Sequence, residues 1–123
     1  MKVQALFAVA LLSLTAAGAD AACQRPTGAA PTVPDGAKAD ETTMHEAHDA
    51  IQAYVVALEA YKACLKDQAD NAPADVPGEV KLAWIAQGDA ALDAANYAAS
   101  QFSVALKAYK ERTTPASAPA AKQ

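Results

Sequence analysis

The chain reads as an all-α protein: an antiparallel two-helix hairpin with an extended N-terminal arm stapled to it by a disulfide. Three observations lead there. Two long segments carry apolar residues in steps of three and four, a proline-rich stretch precedes them, and two cysteines lie one in the arm and one in the first helix.

The N-terminus comes first. Met1 and Lys2 are followed by an apolar run from Ala5 to Leu14, and Ala19-Asp20-Ala21 fits the small-residue cleavage rule. Residues 1–21 therefore read as a signal peptide, with the mature chain starting near Ala22 and working in the periplasm or outside the cell. Ala17-Gly18-Ala19 offers a second cleavage point. The apolar run is shorter than the roughly 20 residues of a membrane span, and no later segment approaches that length, so no integral membrane segment is expected in the mature chain. Cys23, close to the cleavage point, raises the alternative of lipid anchoring. Against it, Asp20 stands where a lipobox takes leucine.

Residues 22–39 form the arm. Pro26, Pro31 and Pro34 favour extended backbone, and Pro34-Asp35-Gly36 is a turn signal. The first helix is predicted over about 41–67. Thr43 with Glu46 has capping-box spacing at its start, and Asp40 is an alternative cap. Its apolar face is Met44, Ala47, Ile51, Tyr54, Leu58, Tyr61 and Leu65. Residues 68–76 read as a loop. A second helix is predicted over about 77–110, with Pro77 in its first turn. Its stripe is Ile85, Gly88, Leu92, Ala95, Ala99, Phe102, Leu106 and Tyr109, and Gly88 marks either a close helix approach or a kink. The helical hairpin unit spans 40–112. Residues 113–123 hold no large apolar side chain and are expected to be disordered.

Cleavage leaves about 102 residues, enough for one small domain. The net charge of the whole chain is −4, and losing Lys2 and Asp20 leaves it unchanged. That balance argues against phosphate-backbone binding and against an anionic membrane surface as partner. Although 53% of the residues are hydrophobic, only fourteen Val, Ile, Leu and Phe remain from Ala22 onward. So thin a core calls for help from a covalent link or self-association. Cys23 and Cys64 can supply the link. The 18 residues from Cys23 to Glu41 reach about 55 Å when extended. Helix from Glu41 to Cys64 rises only about 35 Å. The alternative is a buried thiol at Cys64 beside a lipidated Cys23.

With Cys23-Gln24-Arg25-Pro26, the Pro34-Asp35-Gly36 turn, Met44, Tyr54, Tyr61, Cys64-Leu65, Phe102 and Tyr109-Lys110 in place, the chain resembles a group of small exported helical proteins of Gram-negative bacteria. The resemblance covers most of residues 23–110. It implies periplasmic export and the disulfide, and brings no activity, catalytic residue or cofactor with it.

Candidate chemistry is sparse. Glu41, His45 and His48 share a helical face at spacings suited to a transition metal, yet His45-Glu46-Ala47-His48 is one residue short of the zincin spacing. Ser100 and Ser103 lie mid-helix, without the strained turn that exposes a hydrolase nucleophile. Asp89 and Asp93 read as a solvated face, and Gly78 and Gly88 are too isolated for a phosphate loop. Tyr54, Tyr61, Trp84, Phe102 and Tyr109 read as helix–helix core. Ala53, Val56, Ala57, Ala60 and Ala63 on the first helix form a second, small-residue surface with Ala90, Ala94, Tyr97, Val104 and Ala108 on the second. It could seat a homodimer or a partner helix, or be ordinary helix surface. The expected function is that of a non-catalytic cell-envelope protein acting through helix surfaces. The alternative is a small periplasmic metal-binding protein using Glu41, His45 and His48.

Overall fold

The computed structural model describes residues 22–115; the signal-peptide reading of 1–21 and most of the predicted tail lie outside them. Two helices pack against each other, α1 (Glu41–Asp70) and α2 (Gly78–Thr113), and no strand occurs among the described residues. At 30 and 36 residues they are about 45 and 54 Å long. Neither is long and apolar enough to cross a membrane.

Asp40 opens α1. Its backbone is extended, and its carboxylate accepts the Thr43 backbone N–H at 2.7 Å. This satisfies one of the orphan donors of the first turn. Thr43 lies inside the helix, so its capping-box spacing with Glu46 is not used. α1 runs three residues past the predicted end because the apolar face continues. Ala69 is buried four residues after Leu65, and Lys66 pairs with Asp70 at i,i+4. Asn71 then closes the helix, its side-chain amide donating to the Asp67 carbonyl at 3.0 Å and carboxylate at 2.8 Å.

Pro77 caps α2 rather than occupying its first turn. Its carbonyl receives the Val80 and Lys81 N–H groups. α2 extends to Thr113, whose hydroxyl donates to the Tyr109 carbonyl at 2.8 Å, and Pro115 lies just beyond the end.

The buried face of α1 is the predicted one, with Tyr54 half-buried and Ala69 added. That of α2 differs. Gly88, Ala91, Ala95, Ala98, Phe102 and Ala105 are buried, whereas Leu92, Ala99, Leu106 and Tyr109 are half-buried and Ile85 is exposed. Gly88, Ala95 and Phe102 of the predicted stripe are buried, and the helix is turned slightly from the rest of it, so that Ala91, Ala98 and Ala105 face α1 in place of Leu92, Ala99 and Leu106.

The register explains why. Lys62 lies over Gly88, and the His48 ring sits beside that of Phe102. In that register Met44 comes level with Ala105, Ala47 with Phe102, Ile51 with Ala98 and Leu58 with Ala91. Each of these layers joins one large residue to one small one, which fills the space without forcing the helices apart, while at the far end Leu65 meets the half-buried Trp84. The first three pairs share one buried cluster and Leu58 and Ala91 share the other. A Cβ on Gly88 would lie 3.2 Å from Lys62 Cγ and 3.4 Å from its Cα. α2 runs unbroken through this point, and the glycine lets Lys62 approach its backbone closely.

Hydrogen bonding to the Thr43 N–H holds the Asp40 carboxyl below its ordinary pKa. A lowered folded-state value means a contribution present above the unfolded pKa, about 3.9, and lost as pH falls through the folded value. We expect Asp40→Asn, which caps without titrating, to flatten the acid limb of helix content below about pH 4. Circular dichroism against pH checks this. Equal acid slopes in the two proteins would show that the cap does not couple to folding.

Candidate functional site

The arm crosses one side of the hairpin and is held at both ends. Cys23 and Cys64 are joined, with Cα atoms 5.7 Å apart, as the reach of the arm suggests. A sulfur in that bond is not available for a lipid thioether. At the other end, Asp35 builds the expected turn. Its carboxylate accepts the Ala37 N–H at 3.0 Å and pairs with Lys38 at 3.3 Å, and both hold its pKa below the ordinary value. Gly36 is buried against α2, where a Cβ would lie 1.8 Å from the Ala105 carbonyl oxygen. Only glycine fits there. Val33 and Ala39 pack on the neighbouring core, and the Arg112 guanidinium donates to the Ala39 carbonyl. Sequence reasoning missed the parts played by Gly36 and Arg112. The turn motif contained the first but gave no sign of the backbone it presses on.

A groove of about 320 Å³ opens between the N-terminal end of α1 and the C-terminal end of α2. Met44, Phe102, Leu106 and Tyr109 line it with Glu41, His45 and His48. The three proposed metal ligands therefore do share one rim. Their geometry is another matter. His48 Nδ1 lies 3.1 Å and His45 Nδ1 3.8 Å from the carboxylate of Asp49, and the two rings meet edge to face at 6.4 Å. Among the described residues, no group of three or more His, Cys, Asp and Glu side chains is arranged to hold a metal ion.

Other candidates are engaged in ordinary structural contacts. Ser103 donates to the Ala99 carbonyl at 3.0 Å, and Asp89 pairs across the helices with Lys62 at 2.9 Å. Of the aromatic set, Tyr61 and Phe102 are buried, while Tyr54, Trp84 and Tyr109 pack half-buried against the core. Tyr61 keeps its hydroxyl satisfied by donating to Gln87 Oε1 at 3.3 Å.

The small-residue surface is divided by the arm. Ala57, Ala94 and Ala108 are half-buried, and Ala94 packs in the same cluster as Cys23. Tyr97 and Val104 remain 68% and 65% exposed on α2, and Val56 is 57% exposed on α1. Tyr97 and Val104 are one heptad apart, with exposed Ala90 a heptad earlier, so they form an apolar column along α2. No protein-family model, curated protein or solved structure matches this chain.

His45 and His48 lie on the rim and not in the core. We expect the double replacement His45→Ala, His48→Ala to change stability by no more than about 0.5 kcal/mol and to leave metal content unaltered. Thermal melts and elemental analysis check this. Micromolar zinc or copper binding by the natural chain, lost in the variant, would instead make this rim a metal site.

Proposed function

We propose that this is a non-catalytic cell-envelope protein that acts through its helix surfaces, and that the surface it uses is the apolar column of α2. The exposed pair Tyr97 and Val104 carries this reading. A two-helix layer leaves each helix open on its outer side, and large apolar residues there are useful when another helix covers them. The signal-peptide pattern and the Cys23–Cys64 bond support the envelope location, since disulfides persist in oxidising compartments. The resemblance to small exported helical proteins points the same way.

The occupant we favour is a second copy of the chain. Two hairpins meeting along Ala90, Tyr97 and Val104 give a four-helix bundle. A self-complementary patch suits a two-fold interface, and its central residues carry no charge to desolvate. Ala94 is unsuitable for testing this, because it is half-buried against the inner cluster of the hairpin. Tyr97 and Val104 can be changed without touching the seam between α1 and α2. We expect Tyr97→Glu with Val104→Glu to leave the chain helical and to abolish association in sedimentation at high concentration. A natural chain that stays monomeric, with no bound partner lost in the variant, would leave this column as ordinary helix surface.

A further inference from the structure

We propose that the Cys23–Cys64 bond is a redox-operated latch, opened by a dithiol, which frees the first part of the arm and uncovers Trp84 while the hairpin stays folded. This is independent of the pairing surface on α2 and stands whether or not that surface is used.

The two ends of the arm are held by different means. From Val33 to Asp40 the grip is non-covalent and extensive: the Asp35 turn, Gly36 against the Ala105 carbonyl, Val33 and Ala39 on the core, and Arg112 on the Ala39 carbonyl. From Ala22 to Thr32 it is slight. Pro26 and Pro31 are half-buried and most of the other residues are exposed. One hydrogen bond is made by this stretch among the described residues, from the Cys23 N–H to Gln68 Oε1 at 3.5 Å. The covalent bond therefore holds this half in place.

Beneath the first residues of that half lie Trp84 and the end of the core. Cys23 packs in the cluster of Leu58, Leu65 and Trp84. It also forms part of the wall of an open pocket of about 530 Å³, where Val76 and Trp84 lie with the polar Asp67, Gln68, Asn71 and Asp75. Removing Cys23 opens this wall to solvent. The contacts between α1 and α2 do not pass through the bond. The layers from Met44 and Ala105 to Leu58 and Ala91, and the Lys62–Asp89 ion pair, join the two helices directly.

The latch is reachable. Cys64 is exposed on the outer side of α1, while Cys23 is half-buried. A thiolate of the dithiol attacks Cys64 Sγ, the bond to Cys23 breaks, and Cys23 leaves as a thiolate that takes up a proton. The second thiol of the reagent then closes on the mixed disulfide and releases Cys64 as a thiol. Two electrons and two protons pass from the dithiol to the cystine, and the dithiol ends as a disulfide.

Trp84 is the one tryptophan of the chain and reports directly on this region. Dithiothreitol should be added to the folded, processed protein without denaturant, with the gain of two protons followed by intact mass. Trp84 emission should then move to longer wavelength and its quenching by iodide should rise, with the far-ultraviolet helix signal unchanged. Reoxidation should reverse both. Cys23→Ser with Cys64→Ser should show the reduced spectrum from the start and not respond to dithiol. Three results would each overturn the latch: no reduction without denaturant, complete reduction with unchanged Trp84 emission and quenching, or loss of the helix signal along with the shift.

Discussion

The hairpin depends on a size rule at the seam between its helices. Large side chains of α1 meet small ones of α2 in nearly every layer, and where α1 supplies Ala47, α2 supplies Phe102. Ala91 and Ala95 are each only 1% exposed, so the small partners are as deeply enclosed as the large ones. This is how fourteen Val, Ile, Leu and Phe residues suffice. Bringing the backbones close increases dispersion contact per residue and removes water without a thick core. The same rule has a consequence for the outside. With alanine spent on the seam, several of the larger apolar residues of α2 lie on its flanks, among them Leu82, Ile85, Tyr97 and Val104. The surface proposed for self-association is thus a product of how the interior is packed.

The arm follows from the same geometry. Closely packed helices leave a shallow groove on either side of the seam. The arm lies along one, where Gly36 can reach the α2 backbone and Cys23 can reach Cys64. The other carries the open rim of His48, Phe102 and Leu106. One side of the molecule is therefore covered by chain that is anchored firmly at Gly36 and Arg112 and covalently at Cys23. That unequal anchoring is what makes a releasable segment possible.

Much of this was legible in the sequence, and the exceptions have a common cause. The face of α1 is marked by Met44, Ile51, Leu58 and Leu65, whose size leaves no doubt about phase, and the pairing of the two cysteines is permitted by the reach of an eighteen-residue arm. On α2 the sequence marks Gly88, Ala95 and Phe102 correctly but hides the rest of the face, because Leu92 and Leu106 outweigh Ala91 and Ala105 in any hydrophobic count. An inward alanine and a solvent-facing one look alike along the chain, since alanine favours helix in both settings. The remaining signal was the bulk of α1 itself, which needs small partners. The rim of Glu41, His45 and His48 was found by spacing alone, but spacing does not say where imidazole nitrogens point. Asp49, next in sequence to His48, lies close to Nδ1 of both histidines.

The size rule is tested most directly by exchanging one layer. Leu58→Ala alone should cost about 2–5 kcal/mol through the cavity it leaves. Ala91→Leu alone should cost about 1–3 kcal/mol through overpacking. The two together restore the volume of the layer. Chemical denaturation of the natural chain, both single variants and the double should give a double variant clearly more stable than the sum of the singles implies. A double variant whose loss equals that sum would show that Leu58 and Ala91 do not fill one shared space, and would contradict the account of the seam.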